Sequence, residues 1–486
     1  MNEDIKKLSP EILWKYFGEI LEVPRPSKKE EKIVEYLINF AKVNQLDYEK
    51  DATGNILIRK GATLGYENKK IVVLQSHIDM VCEKNNDTVH DFDNDPIQAY
   101  IEDGWVKAKG TTLGGDDGIG VAAQLALLVS SDIEHGPIEC LFTVDEETGL
   151  TGAFGLEPDF LKADILLNLD SEDEGELFIG CAGGIDTVVE LPFDKTRTPE
   201  NHNGYKLTVK GLCGGHSGDD INKGLANANK VLVRLLFELE KDIDICISEF
   251  DGGNLRNAIA REANANVAIP QENAQQLEEY VNSYCKTLQN EYKVTEPNLV
   301  VTFEKIEIPE SILNEESQMR FINSVLVCPH GVIEMAADME NFVQTSTNLA
   351  AIKTKEDHFY ITTSQRSSVE SQKYAIADRV AATFQTVGAK TQHGDGYPGW
   401  TPNPTSEIKD IVAAAYEKLF ETKAEVKAIH AGLECGLIGD KYPNMDMISY
   451  GPTIRGAHSP VERLHIQSSQ NFWKLTLEVL KNVPNR

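Results

Sequence analysis

The chain has 486 residues, 41% hydrophobic and 26% charged, with a formal net charge of −30 from 47 basic and 77 acidic side chains. That length exceeds the roughly 100–200 residues of one domain and predicts two, with ample apolar material for their cores. The acidic excess argues against nucleic acid and anionic membrane as partners, because both demand a basic surface. The opening Met-Asn-Glu-Asp-Ile-Lys-Lys lacks the apolar core of a signal peptide, and no run of about 18 apolar residues follows it, so a cytoplasmic protein without a membrane span is expected. The 8 cysteines are scattered with no Cys-x-x-Cys pair, which indicates neither a disulfide scaffold nor a thiolate metal site.

Ser9-Pro10 opens a predicted helix with Ser as cap and Pro in the first turn, and Ser27 with Glu30 forms a capping box for the next. After a turn at Asp51–Asn55 comes the apolar, β-branched run Ile71–Leu74, which predicts a fully buried strand ending at His77. A polar loop then leads to the glycine-rich turn 114–118 and the apolar helix Ile119–Leu128, so that Asp116 sits just ahead of a helix. Glycines around Asp116 allow backbone and ions to approach it closely. Ile138–Val144 reads as a strand running into Asp145-Glu-Glu147, and Asp164–Leu169 as another ending on Asp170.

From about 187 to 397 the texture changes to polar strands, such as Tyr205–Lys210 and Asn298–Glu304, alternating with amphipathic helices. An inserted α+β domain is expected there, with a βαββαβ pattern over about 205–305 that recurs less clearly over about 316–395. The Gly- and Pro-rich link Gln392–Pro402 is a return connection, and helix Ser406–Phe420 resumes the first domain. A last strand, Met445–Tyr450, precedes a loop carrying His458. The expected domains are therefore 1–186 with 398–486, discontinuous, and 187–397 inserted.

Four strand ends thus carry potential ligand groups, and open α/β sheets bind ligands beyond the carboxyl ends of their strands. His, Asp and Glu without Cys suit a catalytic zinc. Two ions about 3.5–4 Å apart need one shared carboxylate and further ligands for each. Asp116 fits as the bridge, His77 and Asp170 as ligands of one ion, Glu147 and His458 as ligands of the other. Asp79 is placed to hold the far ring nitrogen of His77, and Glu146, beside a ligand but free, suits a general base. Each residue alone has an ordinary reading as a core histidine, a solvated acid or a turn cap; their convergence at four strand ends argues for one site.

The strings His77–Val81, Gly114–Gly118, Asp145–Gly149, Leu169-Asp170 and Ala457–Pro460 resemble the signature series of the aminoacyl-histidine dipeptidases, also called Xaa-His or cytosol non-specific dipeptidases. These belong to the co-catalytic zinc exopeptidases. Gly214–Gly218, Arg256–Glu262, Gln365–Ser368 and His430–Gly436 extend the resemblance over nearly the whole chain. Gly115 and Asp117 depart from it, standing where Ala and Asn are expected.

The resemblance implies an α/β catalytic domain with a mixed, largely parallel sheet flanked by helices, plus an inserted lid and dimerisation domain. It implies a dipeptide substrate, two Zn²⁺ per chain with Co²⁺ or Mn²⁺ as substitutes, and a homodimer formed through the insert. It assigns Glu146 as base, His216 to the oxyanion, Arg366 to the substrate carboxylate, and Asn257 and Gly432 to the pocket wall. A deacylase or tripeptidase of the same architecture, or a metal-free binding protein, remain the alternatives.

Overall fold

A computed structural model describes residues 2–486. The chain divides into two compact units, Met1–Cys181 with Trp400–Ala428 and Leu433–Arg486, and Ala182–Gly399 with Ile429–Gly432. The segment Ile429–Gly432 belongs to the second unit although the chain on both sides of it belongs to the first, an exchange without a sequence signal.

The first unit is built on an eight-stranded sheet in the order Asp47–Lys50, Ile56–Lys60, Ile138–Thr143, Val72–His77, Ile165–Asn168, Asp446–Ser449, Glu176–Cys181, Glu425–Ile429. The four central strands pair in parallel, and antiparallel pairings flank them. Val72–His77, Ile138–Thr143 and Ile165–Asn168 are buried at every position. That is the mark of strands covered on both faces, and it is why apolar residues sit side by side in them, with Glu139 a charged interruption. One cover is the helix Gly115–Val129, buried from Gly118 through Leu128 and packed against helix Glu11–Ile20. A separate four-stranded sheet contains the hairpin of Ile454–Arg455 with Arg463–His465, which closes the base of the loop bearing His458.

Both expected N-terminal caps are replaced. Helix Glu11–Ile20 is capped by Pro10 itself and helix Glu31–Val43 by Glu30, neither with a side-chain cap bond. Ser27 Oγ instead donates to Asp79 at 2.7 Å, and Glu30 accepts from the amide nitrogens of Lys28 and Asp145. Tertiary partners outcompete the capping box at Ser27 and Glu30. Ser406, by contrast, does cap helix Glu407–Phe420, accepting from Lys409 N at 3.1 Å.

The second unit carries a nine-stranded antiparallel sheet. Eight of its strands fall into two groups of like order: Val300–Ile306, His202–Lys210, Ala263–Pro270, Cys246–Gly252, and Lys390–His393, Gly183–Pro192, His358–Ser367, Val343–Thr354; the ninth, Gly331–Met335, pairs with Val343–Thr354. Each group follows β-α-β-β-α-β along the chain with spatial order 4-1-3-2, and Cys246–Gly252 pairs with Val343–Thr354 to join them. The first group lies in the chain between strand Gly183–Pro192 and helix Glu315–Val327 of the second. The pattern over 316–395 is faint because its first strand lies far upstream.

Candidate metal centre

His77, Glu147 and Asp170 lie at or just past strand exits, Asp116 at the start of a helix and His458 in a hairpin loop. His77 is the last residue of Val72–His77 and is 1% exposed. Asp116 lies inside the first turn of Gly115–Val129 with φ −80° and ψ 115°, outside helical values, after a Gly114 in the left-handed region. The Asp116–Asp117 peptide is cis. Glu146 and Glu147 start a single turn that follows Ile138–Thr143, and Asp170 follows Ile165–Asn168. His458 tops the hairpin loop with φ 60°, a conformation uncommon outside glycine.

The two oxygens of Asp116 face two different imidazoles. Oδ1 lies 3.0 Å from His77 Nε2, and Oδ2 lies 3.1 Å from His458 Nε2. Asp170 Oδ1 is 3.3 Å from His77 Nε2, and Glu147 Oε2 is 3.0 Å from His458 Nε2. Two groups of donor atoms result, His77 with Asp116 and Asp170, and Asp116 with Glu147 and His458, each lying within 4.8 Å of one another. Glu146 forms a further such group with His77 and Glu147. Asp79 lies behind, its Oδ1 3.4 Å from His77 Nδ1. It also accepts from Glu146 N at 3.0 Å and Glu147 N at 3.2 Å, so it holds the Glu146 turn while lying beside the histidine.

The electrostatics of this cluster call for a cation. Burial would lower His77, but Asp170, Asp116 and Asp79 outweigh it and hold it well above the usual imidazole range. Hydrogen bonds to Asp116 and Glu147 raise His458 to about 11. Burial, reinforced by Asp116, pushes Asp170 well up against the pull of His77. Burial pushes Glu146 up to about 8, His77 opposing and Glu434, Glu147 and Asp116 adding to the rise. Glu147 Oε1 is buried with no hydrogen-bond partner. Crowded carboxylates around two imidazoles, with an unsatisfied buried oxygen, fit divalent ions with oxygen and nitrogen ligands.

Asp117, the departure from the expected Asn, belongs to no ligand group. Its Oδ1 accepts from Gly120 N at 3.1 Å, and burial, with Asp116 adding, raises it well above the carboxylate range.

The other four assigned residues lie in the second unit. Arg366, 8% exposed, donates from Nη1 to Tyr397 Oη at 3.1 Å, with Nη2 3.4 Å from His216 Nε2. It forms no ion pair among the described residues, and its Nε has no partner. His216 Nδ1 lies 3.3 Å from Asp219 Oδ2. Asn257 accepts from Ser217 N at 2.8 Å through its backbone oxygen, and a Cβ on Gly432 would meet the Tyr397 ring at 2.8 Å.

Two buried acids went unassigned in the sequence. Glu434 Oε2 accepts from Gln75 Nε2 at 2.6 Å and Thr143 Oγ1 at 2.8 Å while its Oε1 has no partner, and burial pushes it up to about 7. Glu172 is likewise pushed up to about 7 by burial and then by Asp116. Glu434 stands within His430–Gly436, so the string was visible but the residue's role was not.

A family model described as peptidase family M20/M25/M40 matches residues 73–482. The cytosol non-specific dipeptidase of Escherichia coli strain K12 is 45% identical over 481 residues, covering 99% of both chains. The crystal structure of aminoacylhistidine dipeptidase from Vibrio alginolyticus superposes with a TM-score of 0.93 at 45% identity, covering 100% of both chains. Aminopeptidase PepT from Bacillus cereus shares the fold, with a TM-score of 0.58 at 16% identity over 98% of this chain and 99% of that one.

Proposed function

The chain belongs to peptidase family M20/M25/M40, and on that premise we propose that it is a cytoplasmic dipeptidase using two metal ions that share Asp116. The observation that carries the reading is the division of Asp116, Oδ1 toward His77 at 3.0 Å and Oδ2 toward His458 at 3.1 Å. A donor set of imidazole and carboxylate favours zinc, with Co²⁺ or Mn²⁺ as substitutes. Such ions, when bound, supply Lewis-acid polarisation of a peptide carbonyl and lower the pKa of a water.

The chain's own residues do the rest. Glu146 takes a proton from the attacking water and returns it to the leaving amine, a role that its place beside the donor atoms of His77 and Glu147 supports. Asp79 fixes the ring of His77 through Nδ1 and leaves Nε2 for ligation. The names of the relatives at 45% identity support dipeptides, including those ending in histidine, as the substrate class. No helix among the described residues is long and apolar enough to cross a membrane.

Arg366, nearly buried without an anionic partner, is suited to take the substrate's carboxylate, which its planar fork binds through paired hydrogen bonds. We assign His216 to the oxyanion, Asn257 and Gly432 to the pocket wall, and the second unit to lid closure and homodimer formation. Sedimentation at the 53.9 kDa of one chain rather than twice that would remove the dimer.

The deciding experiment is a panel of Xaa-His, β-alanyl and other dipeptides, tripeptides and N-acyl amino acids, assayed after chelation and again with each metal returned. Turnover confined to dipeptides and restored by metal is expected. Equal turnover of tripeptides or N-acyl amino acids would move the assignment to a related amidohydrolase. A chain that takes up no metal would be a binding protein of the same fold.

A further inference from the structure

Glu462 belongs to none of the ligand groups, yet it is 3% exposed and its carboxylate faces the backbone of the Asp116 turn. Oε2 accepts from Leu113 N at 2.7 Å and Gly114 N at 3.0 Å; Oε1 accepts from Gly115 N at 2.7 Å and Asp116 N at 3.4 Å. A further acid beside a cluster of acids is costly unless its charge is met by donors. Four converging N–H groups meet it, and only a group with two acceptor oxygens takes all of them.

The same side chain belongs to the hairpin loop of His458. Strands Ile454–Arg455 and Arg463–His465 close that loop, and inside it Glu462 N donates to Ser459 O at 3.0 Å. One carboxylate thus ties together two ligands, Asp116 and His458, that are 342 positions apart in sequence.

On the far side of the Asp116 turn lies Arg25, 2% exposed. It donates to Gly114 O, to Asp79 O and, at 3.1 Å, to Ile78 O, joining that turn to the exit of the His77 strand. The glycines serve this clamp. A Cβ at Gly114 would lie 2.4 Å from Arg25 Nη2, and one at Gly118 would lie 2.7 Å from the same atom.

We propose that Glu462 is a positioning residue that fixes the Asp116–His458 spacing and thereby the affinity of the ion those two share with Glu147. Arg25 independently keeps Asp116 beside His77, so the ion of His77 and Asp170 depends on Glu462 less. The inference rests on the two-ion reading above.

The test is a titration of the metal-free full chain with Zn²⁺ by calorimetry and with Co²⁺ by its visible spectrum. Wild type binds two ions. Glu462→Gln, which turns an amide toward two of the four N–H groups, is expected to keep one affinity and weaken the other about 10–100-fold. Leu475→Ala, in the buried core of the same unit, is the structural control: it lowers the Tm and leaves both affinities alone. Should Glu462→Gln not fold, Glu462→Asp retains the charge one methylene short, and the same selective weakening is expected. Wild-type affinity for both ions in the variant that folds, or equal weakening of both, overturns the proposal. A wild-type chain that binds fewer than two ions removes the two-ion reading instead.

Discussion

Glu146 and Glu434 are both carboxyls lifted by burial, to about 8 and about 7, but their hydrogen bonds separate their roles. Glu146 neighbours the ligand atoms of His77 and Glu147, whereas Glu434 spends one oxygen on Gln75 and Thr143 behind the sheet. Glu146→Gln should keep the fold and the metal while kcat falls about 10²- to 10⁴-fold, the usual contribution of a general base. Metal analysis beside steady-state kinetics checks this, and a near wild-type kcat would remove Glu146 from the reaction. Glu434 carries a stability consequence. Raised from 4.5 to about 7, it holds its proton in the folded chain where the unfolded chain has released it. Its contribution is therefore full below about pH 4.5 and is lost as the pH rises through about 7, a change on the order of 3 kcal/mol. Urea unfolding of the metal-free Glu434→Gln chain should show a flatter dependence on pH across that window; an unchanged slope counts against the burial argument.

At the scale of elements, strand exits present most of the candidate ligands and the turns that follow aim them. The turn Leu113–Asp116 carries the carboxylate proposed to be shared, and its glycine at 114, with φ 71°, combines a left-handed backbone with the close approach of Arg25. Glycine here makes room for a guanidinium in addition to any freedom it gives an ion. Gly114→Ala should therefore destabilise the chain by at least about 1–2 kcal/mol from the backbone alone, and metal affinity should fall with it. Thermal melts of the metal-free and metal-loaded forms measure both, and an alanine variant with wild-type Tm and affinity would refute the clamp. Ser27 makes a similar point. Its spacing to Glu30 reads as a capping box, but the hydroxyl serves Asp79, which in turn holds His77 and the Glu146 turn.

At the scale of the molecule, the candidate ligands lie in one unit and the residues assigned to the substrate carboxylate and oxyanion lie in the other. Arg366→Ala should accordingly raise KM about tenfold or more while both metal affinities stay unchanged, since a charge-assisted hydrogen bond contributes about 1.5–3 kcal/mol. Kinetics on dipeptides with a free carboxylate, set beside metal titration, separates the two effects. A wild-type KM would leave the second unit with assembly alone. That unit also shows how connectivity hides a repeat: two strand groups share one order, yet one is threaded inside the other, so the second lacks its opening strand wherever the sequence is read as a contiguous block.

The sequence by itself determined the buried strands and the residues at their ends. Apolar stretches such as Cys140–Phe142 and Ile165–Leu167 follow from burial on both faces, and polar groups placed just past such stretches have few structural reasons to be there. Ser406 caps its helix locally, while Asp446, 40 positions away, accepts from Ser406 Oγ at 2.6 Å and from Ile408 N at 2.9 Å. Only the tertiary structure decided how Asp116 divides its oxygens between His77 and His458, and that Arg25 and Glu462 grip the same turn, one through its carbonyl and the other through its amide groups. Those contacts act through single side chains, from 39 positions apart for His77 and Asp116 to 347 for Gly115 and Glu462. No periodicity records them, because their energies depend on burial and on convergent backbone donors that exist only after the chain has closed.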